Sequence, residues 1–306
     1  MIAQSKPYLI SRNFCKKIYH QLKKPRKTKF PEIISIELST LCNAKCKFCP
    51  HSNIHEKDKK RAINMSEEVF RKIIDQCVDH KELKLIKPSL FGEPSITPHL
   101  FERLEYIKEK LPTVKIRLIS NGLAMTPEKI DKLVENRLCD EINFSLDADE
   151  KETFEKFKGI SWDKVIRNIN YSILRNNESG KRIRIILSFV CTPENEGQLK
   201  GFKERWKGKV QGFHIGSESG VRRRKNLINK KTTLPCPQIF NRLNFLSDGR
   251  AVLCCIDAYG EVIVGDIKEQ NLLDIWNSPK FGNIRRLHLN GEKYKIPLCN
   301  ICEEWY

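Results

Sequence analysis

The sequence predicts an α/β protein with a smaller, cysteine-rich C-terminal part. Three observations carry that expectation. Between residues 33 and 216, six runs of strand character alternate with runs of helical apolar spacing, the pattern of parallel βα units. After residue 216 the helical periodicity fades. Five of the twelve cysteines then fall between Cys236 and Cys302.

The first strand is "IISIEL" (33–38), rich in Ile. "SEEVFRKIIDQCVDH" (66–80) reads as a helix opened by Ser66, with acids in its first turn. "LKLIKPSLF" (83–91) is the second strand. In "TPHLFERLEYIKEKL" (97–111), Thr97 caps a helix and Pro98 takes its first position. "KIRLIS" (115–120) is the third strand, and "TPEKIDKLVEN" (126–136) repeats the Thr-Pro helix start. "EINFSL" (141–146), "RIRIILSFV" (182–190) and "VQGFHI" (210–215) are the remaining strands, separated by helices at 161–176 and 195–208. Six such units form either a partial barrel or an open sheet, and periodicity does not choose between them. In both, crossovers are right-handed and ligands bind at the C-terminal strand ends. The chain divides into a basic arm (1–31), a βα core (32–216), a basic linker (217–235) and the cysteine-rich segment (236–306).

No apolar run reaches the length of a transmembrane helix, and the N-terminus lacks the apolar core of a secretory signal. A cytoplasmic protein is expected. In a reducing compartment, clustered cysteines act as metal ligands or catalytic groups more often than as disulfides. The formal net charge is +18, with nine bases and no acid in residues 1–31 and six bases and no acid in 221–231. Such segments attract anionic surfaces or phosphorylated substrates, or are simply solvated.

The first cysteines, Cys42, Cys46 and Cys49, have the spacing C-x3-C-x2-C directly after the first strand. Three thiolates fall one short of a tetrahedral structural zinc site, which would need His51 or His55 as well. On a four-iron cubane, three thiolates leave one iron open to a ligand. In the second group, Cys299 and Cys302 form C-x2-C, and the turn "SDGR" brings Cys254 back towards Cys236. A zinc ribbon with four thiolates is the alternative to an iron–sulfur cluster here.

The first motif resembles that of the radical S-adenosylmethionine (SAM) superfamily. The resemblance implies a partial (βα)6 TIM-like barrel and an enzyme whose 4Fe-4S cluster, on Cys42, Cys46 and Cys49, binds SAM through the open iron. Reductive cleavage of SAM then yields a 5′-deoxyadenosyl radical. "FGEP" resembles the family's GGEP motif with Phe91 at the first glycine; Gly92, Glu93 and Pro94 follow, and Glu93 would pair with the SAM ammonium. Ser120 and Asn121 of "SNG", and Ser145 and Asp147 of "SLDA", resemble segments lining the SAM site. Phe48 would shield the cluster and the adenine.

The C-terminal segment resembles the SPASM or shorter twitch domains, which implies one auxiliary 4Fe-4S cluster on Cys236, Cys254, Cys299 and Cys302, with Cys255 the alternative to Cys254. With four thiolates filled, its implied role is electron transfer. The chemistry would act on a small polar substrate such as a sugar, aminosugar or cyclitol, phosphorylated or nucleotide-linked in one variant, by dehydrogenation or epimerisation. An epimerase needs a hydrogen donor, for which Cys191 is the candidate at the end of the fifth strand. Flavodoxin or ferredoxin would supply the electron; nucleic acid is not an expected partner. The alternatives are peptide modification and a non-catalytic iron–sulfur carrier. Cys77, Cys139 and, apart from that candidate role, Cys191 read as core. His214 and His288 lack a spacing partner, and Trp162, Trp206, Trp276 and Trp305 read as packing anchors.

Overall fold

The computed structural model describes residues 25–47, 49–217, 234–300 and 302; Phe48, most of the basic arm and most of the linker lie outside them. β1 (Ile33–Ile36), β2 (Leu85–Lys87), β3 (Lys115–Ser120), β4 (Glu141–Ser145), β5 (Arg184–Cys191) and β6 (Gly212–Ser217) pair in parallel, each beside its chain neighbour. The order β6-β5-β4-β3-β2-β1 never reverses. A doubly wound sheet would reverse at a switch point, so this is the partial-barrel alternative, left open at its edges.

The pleat sorts the two faces. Ile34, Ile86, Ile116, Ile142, Leu187 and Leu243 are at most 1% exposed, in one core with helix residues such as Phe70, Leu104 and Val165. Burying each such side chain contributes about 1.5–3 kcal/mol. On the alternate positions stand Ser35, Lys87, Arg117, Glu141, Asn143 and Asn244, which form the polar concave face.

The helices are α1 (Glu67–Asp75), α2 (Leu100–Lys110), α3 (Pro127–Glu135), α4 (Lys151–Lys158), α5 (Trp162–Glu178) and α6 (Leu199–Trp206). Ser66 caps α1 as expected, accepting from the Val69 N–H. The expected Thr97–Pro98 start of α2 is corrected. Thr97 instead ends a short 3-10 turn over Pro94–Ile96 and donates to the Glu93 carbonyl, so α2 begins two residues after Pro98. β2 is shorter than expected because Pro88 has no N–H to extend the ladder. α4 was not expected at all; Glu150 at its N-cap makes no side-chain capping bond.

The C-terminal segment extends the same sheet. β7 (Arg242–Phe245) runs parallel to β1, and β8 (Arg250–Val252) and β9 (Ile263–Asp266) follow antiparallel. Gly249 at φ +94° closes the β7–β8 hairpin, where a side chain would be strained. The expectation that helical periodicity fades here is also corrected. α7 (Gln238–Asn241), α8 (Leu272–Asn277), α9 (Pro279–Leu289) and α10 (Pro297–Asn300) are present. α9 buries Phe281, Ile284, Arg285 and His288 on one face, an apolar stripe broken by two polar residues. Among the described residues, no helix is long and apolar enough to cross a membrane.

Candidate functional site

The loop after β1 carries Cys42, Cys46 and Cys49, all partly buried. Backbone bonds hold it against α4: the Lys45 N–H donates to Lys158 O at 2.8 Å and the Lys47 N–H to Phe157 O at 3.0 Å. His51 and His55 both turn Nε2 to Thr40, one to its carbonyl and one to its hydroxyl. Among the described residues, no three Cys, His, Asp or Glu side chains converge on a single ion. Zinc draws thiolates to about 2.3 Å from one point, whereas a cubane spreads its ligands over separate irons.

Gly92 stands where the β2 end crosses this loop. A Cβ there would lie 2.0 Å from the Ser39 carbonyl oxygen and 2.9 Å from that of Leu41. The Glu93 N–H donates to Leu41 O at 2.7 Å, locking the crossing. The Glu93 carboxylate is buried and accepts four bonds: from the Ser95 N–H (3.0 Å) and hydroxyl (2.6 Å), the Ser120 hydroxyl (2.7 Å) and the Asn121 N–H (2.7 Å). It therefore ties the end of β2 to the end of β3. The Asn121 amide donates to Asn43 Oδ1 at 2.7 Å and reaches Cys42 Sγ at 3.9 Å. Pro94 opens the 3-10 turn. Phe91, at the position of the first glycine, packs with Ile54, Leu246, Val252 and Ala258, joining this rim to the C-terminal segment.

Ser145 is half-buried at the end of β4, opposite Ser188. Asp147 is buried at φ +59° and uses its carboxylate inside the protein, on the Val190 N–H (2.8 Å) and the Lys158 ammonium. Burial alone would push Lys158 down; Asp147 and the thiols of Cys46 and Cys49 outweigh it and hold the ammonium above its usual range. Sequence reasoning missed Lys158, since nothing in its spacing ties it to the cysteines. Cys191 lies where the core reading puts it, alternating with Leu187 and Phe189 on the helix-facing side of β5 rather than at the rim a hydrogen donor would need, and burial pushes its thiol up to about 11.

Cys236, Cys254, Cys255, Cys299 and Cys302 line one cavity with Gln238, His288 and Lys293. The hairpin register (Asn244 opposite Val252) returns Cys254 to the start of β7, near Cys236, and α10 supplies Cys299. The Cys255 thiol donates to Gln238 Oε1 at 3.3 Å and accepts from Arg242 at 3.6 Å. Burial pushes the Cys299 thiol up to about 12, with Cys302 adding to it, and raises Cys236 and Cys254 as well. Thiols that line one cavity and resist ionisation alone suit a centre whose iron neutralises them on binding. Burial, then Lys293, lowers His288 to about 4.

The two cysteine groups sit at opposite ends of the β1–β7 pair. The trio follows the C-terminal end of β1, while Cys254 and Cys255 lie by the first residue of β7. At about 3.3 Å per strand residue, roughly 13 Å of strand separates the two levels. The polar concave face lies between. Both amide atoms of Asn244, Asn143 Oδ1 and Ser89 Oγ are buried there without a hydrogen-bond partner among the described residues. Lys87 is lowered to about 8 by burial and then by Arg242.

An open, singly wound βα sheet with a cysteine trio at its C-terminal rim and a second cysteine nest below defines an iron–sulfur enzyme with two centres. The chain belongs to the radical SAM superfamily, whose model matches residues 36–205. Residues 236–303 match the SPASM iron–sulfur cluster-binding domain. Its cofactors are SAM, a 4Fe-4S cluster and an auxiliary iron–sulfur cluster. The chain is 21% identical to the SAM-dependent 2-deoxy-scyllo-inosamine dehydrogenase of Niallia circulans, over 88% of this chain and 92% of that one. It is 23% identical to the tungsten-containing aldehyde ferredoxin oxidoreductase cofactor-modifying protein of Pyrococcus furiosus, over 87% and 86%. Among solved structures, BtrN in complex with AdoMet and 2-DOIA aligns with a TM-score of 0.60 at 18% identity, over 90% of this chain and 97% of that one. Streptococcus suis SuiB bound to precursor peptide SuiA aligns with a TM-score of 0.65 at 18% identity, over 96% and 74%.

Proposed function

We propose that this enzyme dehydrogenates a hydroxyl-bearing carbon of a small polar metabolite held on the concave face between the two cysteine groups. Cys42, Cys46 and Cys49 would hold the first cluster, and Cys236, Cys254, Cys299 and Cys302 the auxiliary one. The observation that carries the reading is the buried, unpartnered polar set of Asn244, Asn143 and Ser89 between the two groups. Such groups are costly to leave unpaired, at about 1–3 kcal/mol each, and suit a polyhydroxylated ligand. When bound, SAM and the clusters supply the radical that takes the hydrogen atom and the acceptor for the second electron.

The chain's own residues provide binding and proton handling. Gly92, Pro94, Ser120, Asn121 and Ser145 shape the SAM rim. Glu93 and Asp147 act mainly by fixing it, since their carboxylates are already engaged. Lys87, poised near neutrality, takes the substrate hydroxyl proton as the carbonyl forms. The placement of Cys191 in the core supports dehydrogenation over epimerisation, which would need a hydrogen donor facing the substrate.

The test is anaerobic reconstitution with SAM and reduced flavodoxin or dithionite, supplied with deuterated polyols, aminocyclitols and sugar phosphates. Deuterium should appear in 5′-deoxyadenosine together with a ketone product. Turnover only with a peptide substrate would overturn the small-molecule reading in favour of peptide modification.

A further inference from the structure

His288 sits in the third turn of α9, 1% exposed, and lines the cavity of the second cysteine group. The helix that carries it is held firmly. Arg285, one turn before, lies between the rings of Trp276 (4.1 Å) and Phe281 (3.8 Å) and donates to the carbonyls of Ile239 and Trp276, at 2.8 Å each. The same helix thus grips α7, the element that follows Cys236.

The tautomer of His288 is fixed by a neighbour that can only donate. The backbone N–H of Cys236 donates to Nδ1 at 3.2 Å. Nδ1 is therefore the lone-pair nitrogen, and Nε2 carries the ring proton. Nε2–H has no hydrogen-bond partner among the described residues, although it is buried. An unpaired buried donor is costly. Here it belongs to a ring that lines a cavity with Cys236, Cys254, Cys299 and Cys302. A protonated Nε2 cannot ligate iron, because its lone pair is in the N–H bond. It can donate to sulfur.

We propose that His288 donates its Nε2–H hydrogen bond to a sulfur of the auxiliary cluster and so raises that cluster's reduction potential; this rests on the auxiliary-cluster assignment above. Four thiolates make the cluster an anion in both oxidation states, and more so when reduced. A donor aimed at its sulfurs stabilises the reduced form more than the oxidised one, a recognised lever on cluster potential. The Lys293 side chain lines the same cavity and adds positive charge of the same sense. The pocket is thereby tuned to accept an electron, as a dehydrogenase needs. His288 is a positioning residue in this assignment: it touches no substrate and moves no proton.

The test compares full-length wild type, His288→Asn and His288→Gln, each reconstituted anaerobically. In the Asn variant, Oδ1 can still accept from the Cys236 N–H, but nothing replaces Nε2–H. The Gln amide can restore a donor near the Nε2 position. Iron and sulfide content should be equal in all three. In redox titrations followed by EPR, with SAM added to distinguish the first cluster, the auxiliary midpoint should fall in His288→Asn and return towards wild type in His288→Gln. An exchangeable proton coupled to the reduced auxiliary cluster should be seen by ENDOR in wild type and Gln and be lost in Asn. An unchanged midpoint with full iron content overturns the proposal. So does loss of the auxiliary iron in both variants, which would make His288 a ligand or a structural prop. Wild-type protein with iron for one cluster only would instead sink the auxiliary-cluster assignment itself, and the role of His288 with it.

Discussion

Arg61 and Glu37 meet as a two-pronged ion pair with both side chains wholly buried: Nε donates to Oε2 at 2.8 Å and Nη2 to Oε1 at 2.6 Å. Glu37 follows β1, and Arg61 follows the cysteine loop. The pair is completed from the C-terminal segment, where the Ser247 N–H donates to Glu37 at 3.0 Å and the Ala258 carbonyl accepts from Arg61. One contact thus holds the first cysteine loop, the barrel and the auxiliary segment in register. Arg61→Leu leaves a buried carboxylate uncompensated and should cost about 3–5 kcal/mol in urea unfolding, against a smaller loss when both partners are replaced by apolar residues. Equal losses in the single and double variants would show that the pair is not the clamp.

Gly92 has no room for a methyl group. The obstacle is backbone, the Ser39 carbonyl 2.0 Å from the would-be Cβ, and cannot swing aside like a side chain. Gly92→Ala should destabilise by about 1–3 kcal/mol and pull Glu93 from its four donors. Thermal unfolding reads the first effect and SAM binding to the reconstituted protein the second. A variant with unchanged Tm and SAM affinity would contradict both.

Glu93 accepts from four donors spread over two strand ends. Glu93→Gln sets an amide N–H against one of them, and should cost about 1–3 kcal/mol of stability. Glu93→Ala should weaken SAM binding while leaving the iron of the first cluster in place. Retained SAM affinity in Glu93→Ala would remove the residue from the SAM rim.

The strands and both cysteine groups were legible because period-2 runs of Ile, Leu and Val and fixed cysteine offsets are local signals. What escaped was non-local or unmarked. α4 has no Ser, Thr or Asp cap to announce it. The pairing of β7 with β1 joins residues about two hundred positions apart, which no window detects. Arg61 and Lys158 look like surface charges until their carboxylate partners are seen. His288 had no spacing partner because its partner is the Cys236 backbone N–H. Cys191 was legible as core from its apolar neighbours, but whether it also reached the rim turned on one step of the strand alternation, which separates lumen from core.

Lys87 sets the expected pH dependence. Burial, then the nearby Arg242, lowers it to about 8; Arg117 acts in the same direction, while Cys255 and Glu141 oppose it. Below that value the amine is protonated and cannot take a proton. Turnover should therefore rise with pH and level off above about 8. Lys87→Met should lower turnover by about 10²–10⁴-fold and flatten that limb. A wild-type profile flat between pH 6 and 9 (about two orders of magnitude in the fraction of free amine) would dismiss Lys87 as the acceptor.

The choice between Cys254 and Cys255 as auxiliary ligand turns on which thiol is otherwise employed. Cys255 Sγ donates to Gln238 Oε1, which requires its proton, and accepts from Arg242. A ligand must instead be a thiolate. Cys254 is suppressed as a free thiol, held well up by burial and then by Cys255 beside it, the situation that iron coordination would relieve. Cys254→Ser should thus lose the iron and sulfide of one whole cluster on reconstitution, while Cys255→Ser keeps both clusters. Loss in Cys255→Ser alone would exchange the two assignments, because the Gln238 contact would then have to break for the cluster to form.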